Sequence, residues 1–369
     1  MKKLKKIPFI LSLLSLLTFF TPTNADIKVV ASIKPIHSLA SYLMDGVAKP
    51  DLIVDGYASP HGFAMKPSHA KMLQNADLIF WVGEDLENFL EKPLKSIAKK
   101  AEKIELMEIK GLQVLKFRER NIFDDHDDHG HDDHDDHGKK EDDHDDHDHD
   151  DHGKKEDDHD DHDHDDHGKK EDDHDDHGHD DHGKKDGHDD HDDHDGHEGH
   201  HHGEFDPHIW LDPVNAKVIL KEMAEHLIEN DSKNEATYKS NLKKALNDID
   251  KLTADVKAEL NKSVASIVFH DAYQYFEERF NVNILGAFTV NTDVMPGAEQ
   301  LKEIREVIEH DKVACVFSEP QFNPDIIKAV AKDMNIKTGV VDPLGATLNP
   351  GKSLYFDLIR NMSASFKGC

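Results

Sequence analysis

Apolar and polar positions follow two alternating spacings along the first third of the chain. Short apolar runs without helical spacing predict buried strands, and apolar residues every three or four positions predict helices. The predicted strands are residues 28–33, 52–54, 78–82 and 104–109. The predicted helices are residues 36–44, 67–75 and 84–100. Strands that alternate with helices of this length predict a parallel sheet with helices on both faces.

The same alternation returns in the last third of the chain. The predicted strands there are residues 264–269, 282–285, 313–317 and 338–341. The predicted helices are residues 273–280, 297–310, 324–334 and 353–366. We therefore predict an α/β fold with two lobes, each built on a four-stranded parallel sheet that is flanked by helices.

One long helical segment, residues 232–262, lies between the two patterns and contains no Pro or Gly. Six apolar residues recur in it at three- and four-residue steps: Leu242, Leu246, Ile249, Leu252, Val256 and Leu260. This spacing predicts a rigid helix that joins the lobes and leaves a cleft between them. The predicted domains are an N-terminal lobe (26–231), this linker helix (232–262) and a C-terminal lobe (263–369).

The first 25 residues have the pattern of an export signal. Four lysines at positions 2, 3, 5 and 6 precede the apolar stretch 7–20, which is too short for a membrane span. Thr23 and Ala25 fit the small-residue positions before a cleavage point, so we expect a mature chain that begins at Asp26. No Cys at that point signals a lipid anchor. We therefore expect an exported protein located in the periplasm.

Residues 124–203 consist mostly of Asp and His, and the unit HGKKEDDHDDHDHDD occurs twice in succession from His137. The segment holds about 24 of the 31 histidines and about −30 of the net charge of −32. It can bury no core, so we expect a disordered insert that binds divalent metal ions weakly. It could capture metal for a nearby site, buffer it or sense it. The rest of the chain is close to neutral and has no basic groove for nucleic acid.

The chain has two cysteines, Cys315 and Cys369. In an exported chain an even pair is typical of a disulfide, which here would tie the C-terminal helix to a core strand. A pair of thiolate metal ligands is the alternative. The position of Cys315 inside the apolar run 313–317 favours the disulfide.

Several metal-binding side chains lie where a predicted strand ends. Ligands of open parallel sheets bind beyond these C-terminal ends. His61, His270 and Asp342 each follow a strand, and His208 comes just after the insert. Three imidazoles with a carboxylate or water suit zinc, whereas a set richer in carboxylates suits manganese. Four other histidines are assigned to helices, the last two of them exposed: His37, His69, His226 and His310.

Seven motifs along the mature chain resemble those of one known family. They are Tyr57-Ala-Ser-Pro-His61, Lys66-Pro-Ser, Leu73-Gln-Asn-Ala-Asp77, Asp206-Pro-His208-Ile-Trp-Leu-Asp-Pro, Val268-Phe-His270-Asp-Ala-Tyr, Phe317-Ser-Glu-Pro-Gln-Phe322 and Asp342-Pro-Leu-Gly345. With the insert and the cysteine pair, they are similar to the ZnuA-like periplasmic solute-binding components of high-affinity zinc ABC transporters. The resemblance covers essentially the whole mature chain.

The resemblance implies that His61, His208 and His270 bind zinc as the transported ligand. Pro60 stands where some zinc members carry Glu, and manganese members use an Asp at the position of Asp342. Asp342 and water therefore both remain candidates for the fourth ligand. The resemblance also implies a monomer without enzymatic activity that delivers its metal to a cognate ABC permease in the inner membrane.

Three other functions are compatible with parts of the sequence. A zinc hydrolase would need a general base, and Glu319, which we assign a structural role, is the only carboxylate with a weak claim to that task. A periplasmic metal buffer would use the insert and leave the two lobes unexplained. A receptor for manganese or iron would belong to the same class of transport protein.

Overall fold

Two apolar strands, β1 (Val29–Ile33) and β5 (Ser266–His270), lie inside two separate sheets. Every residue of both strands is buried, as expected for strands of a parallel sheet that helices cover on both faces. The computed structural model describes residues 26–122, 203–260, 264–292, 294–332, 334 and 336–369. The predicted export signal and the Asp/His insert, apart from Gly203, lie outside these described residues.

The described residues all belong to one structural unit. Its first sheet has the strand order β2-β1-β3-β4, and all three pairings are parallel. The other strands of this sheet are β2 (Asp51–Val54), β3 (Leu78–Trp81) and β4 (Glu102–Glu105). The connecting helices are α1 (Lys34–Leu43), α2 (Pro67–Asn75) and α3 (Glu84–Ser96).

The second sheet has the corresponding order β6-β5-β7-β8 and is again parallel throughout. Its other strands are β6 (Ile284–Thr289), β7 (Cys315–Ser318) and β8 (Lys337–Val340). Its helices are α6 (Gln274–Phe280), α7 (Ala298–His310) and α8 (Asp325–Ala331). The prediction of two four-stranded parallel sheets flanked by helices is therefore confirmed. We call the elements around the first and second sheets the first and second lobes.

Three further helices complete the described part of the chain: α4 (Pro213–Asn230), α5 (Glu235–Glu259) and α9 (Leu354–Lys367). Asp212 caps α4 by accepting a hydrogen bond from Val214 N at 2.7 Å. The long helix α5 packs against α4, and a 3-10 turn, Ser232–Asn234, precedes it. No helix among the described residues is long and apolar enough to cross a membrane.

The C-terminal helix α9 packs against α1 and α5, and its residues Tyr355, Leu358 and Ile359 are buried in the same core as β1. The chain then ends at Cys369, which forms a disulfide with Cys315 of β7. The predicted disulfide is therefore confirmed. It connects a helix that packs on the first lobe to a strand of the second sheet.

The segment before the insert crosses to the second sheet. Ile122 forms an antiparallel bridge with Gly286 of β6, and Ala287 N donates to Asn121 O at 2.8 Å. A side chain at Gly286 would bring its Cβ to 2.6 Å from Asn121 O, so only glycine permits this approach. The chain after the insert lies beside the same segment, because Phe205 forms an antiparallel bridge with Lys116.

The predicted boundaries in the first lobe differ most from the structure at β4 and α3. The strand predicted at 104–109 is instead β4 (Glu102–Glu105), followed by a 3-10 turn at Leu106–Glu108. Leu106 is buried in this turn. The apolar residue was therefore correctly expected to be buried, but it does not belong to a strand. The helix predicted at 84–100 ends at Ser96, three residues after Pro93.

Candidate metal site

Three histidine rings converge in one pocket of the described structure. His61 lies in the loop between β2 and α2, His208 precedes the 3-10 turn Ile209–Leu211, and His270 is the last residue of β5. Their ring centroids are 5.6 Å (His61–His208), 5.3 Å (His61–His270) and 4.9 Å (His208–His270) apart. One nitrogen from each ring lies within 4.8 Å of the others. Three imidazole nitrogens at this spacing can hold one tetrahedral metal ion.

Local backbone structure fixes the approach of two of these rings. His208 N donates to Asp206 Oδ1 at 3.0 Å, which forms a tight turn directly before the ring. His61 N donates to Ser59 Oγ at 3.3 Å in the loop after β2. His270 needs no turn, because it ends a buried strand and its register partner on β6 is Thr289.

A carboxylate faces the Nδ1 atom of each buried histidine. His208 Nδ1 lies 2.6 Å from Asp206 Oδ1, and His270 Nδ1 lies 3.4 Å from Glu319 Oε2. When Nδ1 carries the proton and donates to the carboxylate, Nε2 is left with a lone pair for a metal ion. Sequence reasoning gave Asp206 no role and treated Glu319 as structural. The only signal for Asp206 was its position two residues before His208.

Burial controls the charge of these groups. Burial lowers the pKa of His208 well below its ordinary value, so this ring is neutral and able to bind a metal at neutral pH. Burial also opposes the charging of His270, but the charge of Glu319 and its contact with the ring raise the pKa of His270 overall. Burial raises the pKa of Asp206 to about 7.

Arg118, in the segment before the insert, forms ion pairs with two carboxyl groups near His270. Its guanidinium donates to Asp271 Oδ1 at 3.0 Å and to Glu277 Oε2 at 2.8 Å. Burial raises the pKa of Asp271 to about 6 and that of Glu277 to about 7. The arginine therefore compensates two buried carboxyl groups, one of them adjacent to His270.

Asp342 follows β8 as predicted, but its carboxylate lies outside the set of converging ligand atoms. Oδ1 accepts hydrogen bonds from the backbone N atoms of Leu344 (3.1 Å) and Gly345 (2.9 Å) and from Gln321 Nε2 (2.9 Å). Oδ2 accepts from Ala346 N at 2.6 Å. Both oxygens are therefore engaged in holding the loop that follows Asp342.

The same loop is attached to the first lobe. The buried Lys34 side chain donates to the carbonyl oxygens of Ala346 at 2.9 Å and Leu348 at 3.0 Å. Trp210 Nε1 donates to Pro343 O at 2.8 Å. The pocket around the three histidines is thus walled by groups from both lobes, among them the apolar side chains Pro60, Trp210, Phe322 and Leu344. These walls limit the water that reaches a bound ion.

Comparison with known proteins gives a consistent result. The profile of the family described as ZnuA, zinc-uptake complex component A, periplasmic, matches residues 29–369. A high-affinity zinc uptake system protein ZnuA of Brucella abortus is 42% identical over 343 residues, which cover 92% of this chain and 91% of that protein. The protein of the same name from Haemophilus influenzae is 36% identical over 375 residues, covering 100% and 99%.

A solved crystal structure of a ZnuA shares the fold at 17% sequence identity. The TM-score is 0.62, and the alignment covers 92% of this chain and 99% of that chain. The family profile spans nearly all of the chain after the predicted export signal. The resemblance noted from the motifs is therefore confirmed, and the chain belongs to the periplasmic component A family of zinc-uptake complexes.

Proposed function

We propose that this protein captures one Zn²⁺ ion between His61, His208 and His270 and delivers it to an ABC permease in the inner membrane. The observation that supports this most strongly is the convergence of three imidazole nitrogens within 4.8 Å. Nitrogen ligands favour zinc over manganese, which prefers oxygen. The proposed cargo is therefore zinc, with manganese or iron as the alternative within the same class.

Water is proposed as the fourth ligand. Three protein ligands plus a water molecule form a common tetrahedral zinc site, and such a site can give up its metal without breaking a fourth protein bond. The hydrogen bonds that Asp342 accepts from its own loop argue against a role for it as the fourth ligand. Asp342 would have to give up these bonds to reach the metal.

Capture and release are proposed to depend on the relative position of the two lobes. His61 is placed by the loop after β2 of the first sheet, His208 by the turn that precedes α4, and His270 by β5 of the second sheet. Separation of the lobes would move His61 away from His270 and weaken zinc binding. The long helix α5, together with α9 and its disulfide, favours small lobe movements over wide opening.

An enzymatic role is not proposed. A zinc hydrolase needs a carboxylate or imidazole that is free to take a proton from the metal-bound water. Glu319 faces His270 Nδ1 at 3.4 Å and is therefore engaged with that ring. Assays of the zinc-loaded protein with ester, peptide and phosphate substrates should show no turnover above that of free zinc, and a clear rate above it would reverse this assignment.

The test of zinc capture compares His270→Ala with His310→Ala in the full chain. His310 is a useful control because its side chain is 89% exposed and lies outside the cluster. The protein is loaded with zinc and dialysed against a chelator strong enough to remove weakly held ions. We expect the native chain and His310→Ala to retain one ion and His270→Ala to retain none. Equal retention by the two variants would refute the site.

Export and delivery are the remaining parts of the proposal. We propose that cleavage after Ala25 releases a monomer into the periplasm. N-terminal sequencing of the exported protein should begin at Asp26, and its mass in solution should match one chain. Zinc uptake by cells that lack the protein should be restored by the native chain and not by His270→Ala. Restoration by His270→Ala would show that zinc uptake does not require this site.

A further inference from the structure

A second group of metal-binding side chains lies on the surface of the first lobe. His226 of α4 is surrounded by Glu222 and Glu229 of the same helix and by Glu102, the first residue of β4. His226 Nδ1 lies 2.8 Å from Glu102 Oε1 and 3.9 Å from Glu229 Oε2. Ligand atoms of His226, Glu102 and Glu229 all lie within 4.8 Å of one another. In a tetrahedral zinc site, neighbouring ligand atoms are separated by about 3.3 Å, which falls between these two distances.

The contact between His226 and Glu102 is short but is not a hydrogen bond. His226 Nδ1 is shut off from solvent and has no hydrogen-bond partner within the described part of the chain, although Glu102 Oε1 is 2.8 Å away. A ring N–H at Nδ1 would therefore not point at the carboxylate. The lone pair of Nδ1 points in the same direction as its N–H would, so a cation bound to it would lie beside the Glu102 oxygen and could be shared by both ligand atoms.

The other ring nitrogen also has a carboxylate beside it. Glu222 Oε1 lies 3.4 Å from His226 Nε2, one helical turn before the histidine. A proton on Nε2 facing Glu222 leaves Nδ1 with the lone pair. The same carboxylate–imidazole pairing occurs at His208 and His270, where the ring atoms have exchanged roles.

Asn230 holds Glu102 in position. Its Nδ2 atom donates to Glu102 Oε2 at 2.7 Å and to His226 O at 2.9 Å. Oε1 of Glu102 is thereby left to face the ring. Pre-positioning of a ligand by a neighbouring hydrogen bond is typical of metal sites in proteins.

This cluster is separate from the cleft. Glu102 lies where β4 begins, whereas His270 of the cleft lies at the C-terminal end of β5. His226 is 14 residues beyond Asp212, the cap of α4, which corresponds to about 21 Å along the helix. The sequence predicted His226 as an exposed helix residue, but its side chain is only 20% exposed in the folded chain.

We infer that His226, Glu102 and Glu229 form a second binding site for a divalent cation, in which Glu222 orients the ring. One imidazole and two carboxylates suit zinc, with manganese as the other ion of matching chemistry. The site is more open than the cleft, because the Glu229 side chain is 72% exposed, so it binds metal more weakly. This inference does not depend on the proposed transport function.

The test measures the chemical reactivity of the His226 ring in the full chain. Diethyl pyrocarbonate modifies the unprotonated nitrogen of a free imidazole. Without metal the ring proton exchanges between the two nitrogens, so the reagent attacks Nε2, the nitrogen that is not shut off from solvent. A metal on Nδ1 holds the proton on Nε2 and blocks the reaction. The rate of modification is followed residue by residue with mass spectrometry, at free zinc concentrations set by metal buffers. The buffers keep free zinc constant whatever the insert binds.

His310 is the internal control, because its Nδ1 also lies 2.8 Å from a carboxylate, that of Asp311, but among the described residues His310 belongs to no group of three converging ligands. Glu225, an exposed residue of α4 outside the cluster, provides the matched variant. We expect zinc to protect His226 and not His310. Glu102→Gln and Glu229→Gln should each raise the zinc concentration for half-protection by about tenfold or more, and Glu225→Gln should leave it unchanged.

Three results would overturn the inference. The first is full reactivity of His226 in the presence of zinc and of manganese, while His61 in the same digest is protected. The second is equal protection of His226 and His310, which indicates a general effect of zinc on the reagent. The third is unchanged protection in both Glu102→Gln and Glu229→Gln. His61 reports on the cleft separately, so failure of the transport proposal would leave His61 reactive and would be recognised as a different outcome.

Discussion

The two buried histidines of the cleft are paired with carboxylates in unequal ways. His208 Nδ1 lies 2.6 Å from Asp206, whereas His270 Nδ1 lies 3.4 Å from Glu319. Burial lowers the pKa of His208 well below its ordinary value, while the charge of Glu319 overcomes burial and raises the pKa of His270. His208 therefore offers the proposed site a ring that is already neutral, and His270 offers one that holds its proton more firmly.

Because of this difference, we expect Asp206 and Glu319 to affect their histidines in different ways. Asp206 also accepts from His208 N at 3.0 Å and from Gln274 Nε2 at 3.1 Å, so it is fixed by α6 as well as by its own turn. It acts mainly by orienting the ring of His208. Glu319 makes the longer contact and acts mainly through its charge on His270. A zinc ion must displace a proton from His270 more often than from His208.

The first prediction distinguishes the orientation of the His208 ring by Asp206 from the effect of the Glu319 charge on His270. Asp206→Asn should lower zinc affinity about 100-fold, and Glu319→Gln should lower it about tenfold, because loss of such partners costs between these values. In Asp206→Asn the amide oxygen that still accepts from His208 N is uncharged and is a weaker acceptor for His208 Nδ1, and the amide nitrogen faces the donor Gln274 Nε2, so the ring is oriented less firmly. Affinity is measured by competition with a chromophoric chelator that outcompetes the insert.

Asp311→Asn is the control for this prediction, because Asp311 faces the exposed His310 in the same kind of contact. That variant should bind zinc as tightly as the native chain. A larger loss for Glu319→Gln than for Asp206→Asn would contradict the assignment of tasks.

The position of the three cleft histidines could be predicted from the sequence, whereas their partners could not. His270 follows an apolar run, and the end of a parallel strand is a general location for ligands. The carboxylate that faces it, Glu319, is 49 residues away, and the pairing depends on β5 and β7 being neighbours in the sheet. Apolar spacing predicts strands but not their order.

The same limit explains the unexpected features of the fold. Spacing predicted the final helix but not its packing on α1 and α5 of the first lobe. His226 was predicted to be exposed because its neighbour Glu102 is distant in sequence and comes from a strand whose start was predicted two residues late. The sequence placed Asp342 after a strand without revealing that backbone N–H groups of the following loop would donate to both of its carboxylate oxygens.

The second prediction uses pH to sharpen the comparison. The pKa of His270 is raised above the ordinary value near 6.5, so protons compete with zinc at a higher pH than at an ordinary imidazole. Affinity should be constant above that pKa and should fall about tenfold per pH unit below it for each displaced proton. Glu319→Gln removes the charge that raises the pKa, so the fall should begin at a lower pH in this variant.

Competition titrations from about pH 8 to pH 5 measure both curves. His208 is expected to add little to the slope in this range, because its pKa is already low. The same onset in the native chain and in Glu319→Gln would show that His270 is not the proton-sensitive ligand.

The last prediction concerns Asp342, which lies in the second lobe like His270 but belongs to a loop held by the first lobe. Asp342→Asn should change zinc affinity by less than about threefold, because both oxygens of Asp342 accept hydrogen bonds from groups other than the metal. It should lower the free energy of unfolding by about 2 kcal/mol, since a charged acceptor of several backbone N–H groups is lost. Chemical denaturation and zinc competition are measured on the same samples, with the exposed Asp325→Asn as the control. A loss of affinity as large as that of Asp206→Asn would make Asp342 the fourth ligand, because water at that position does not depend on this side chain.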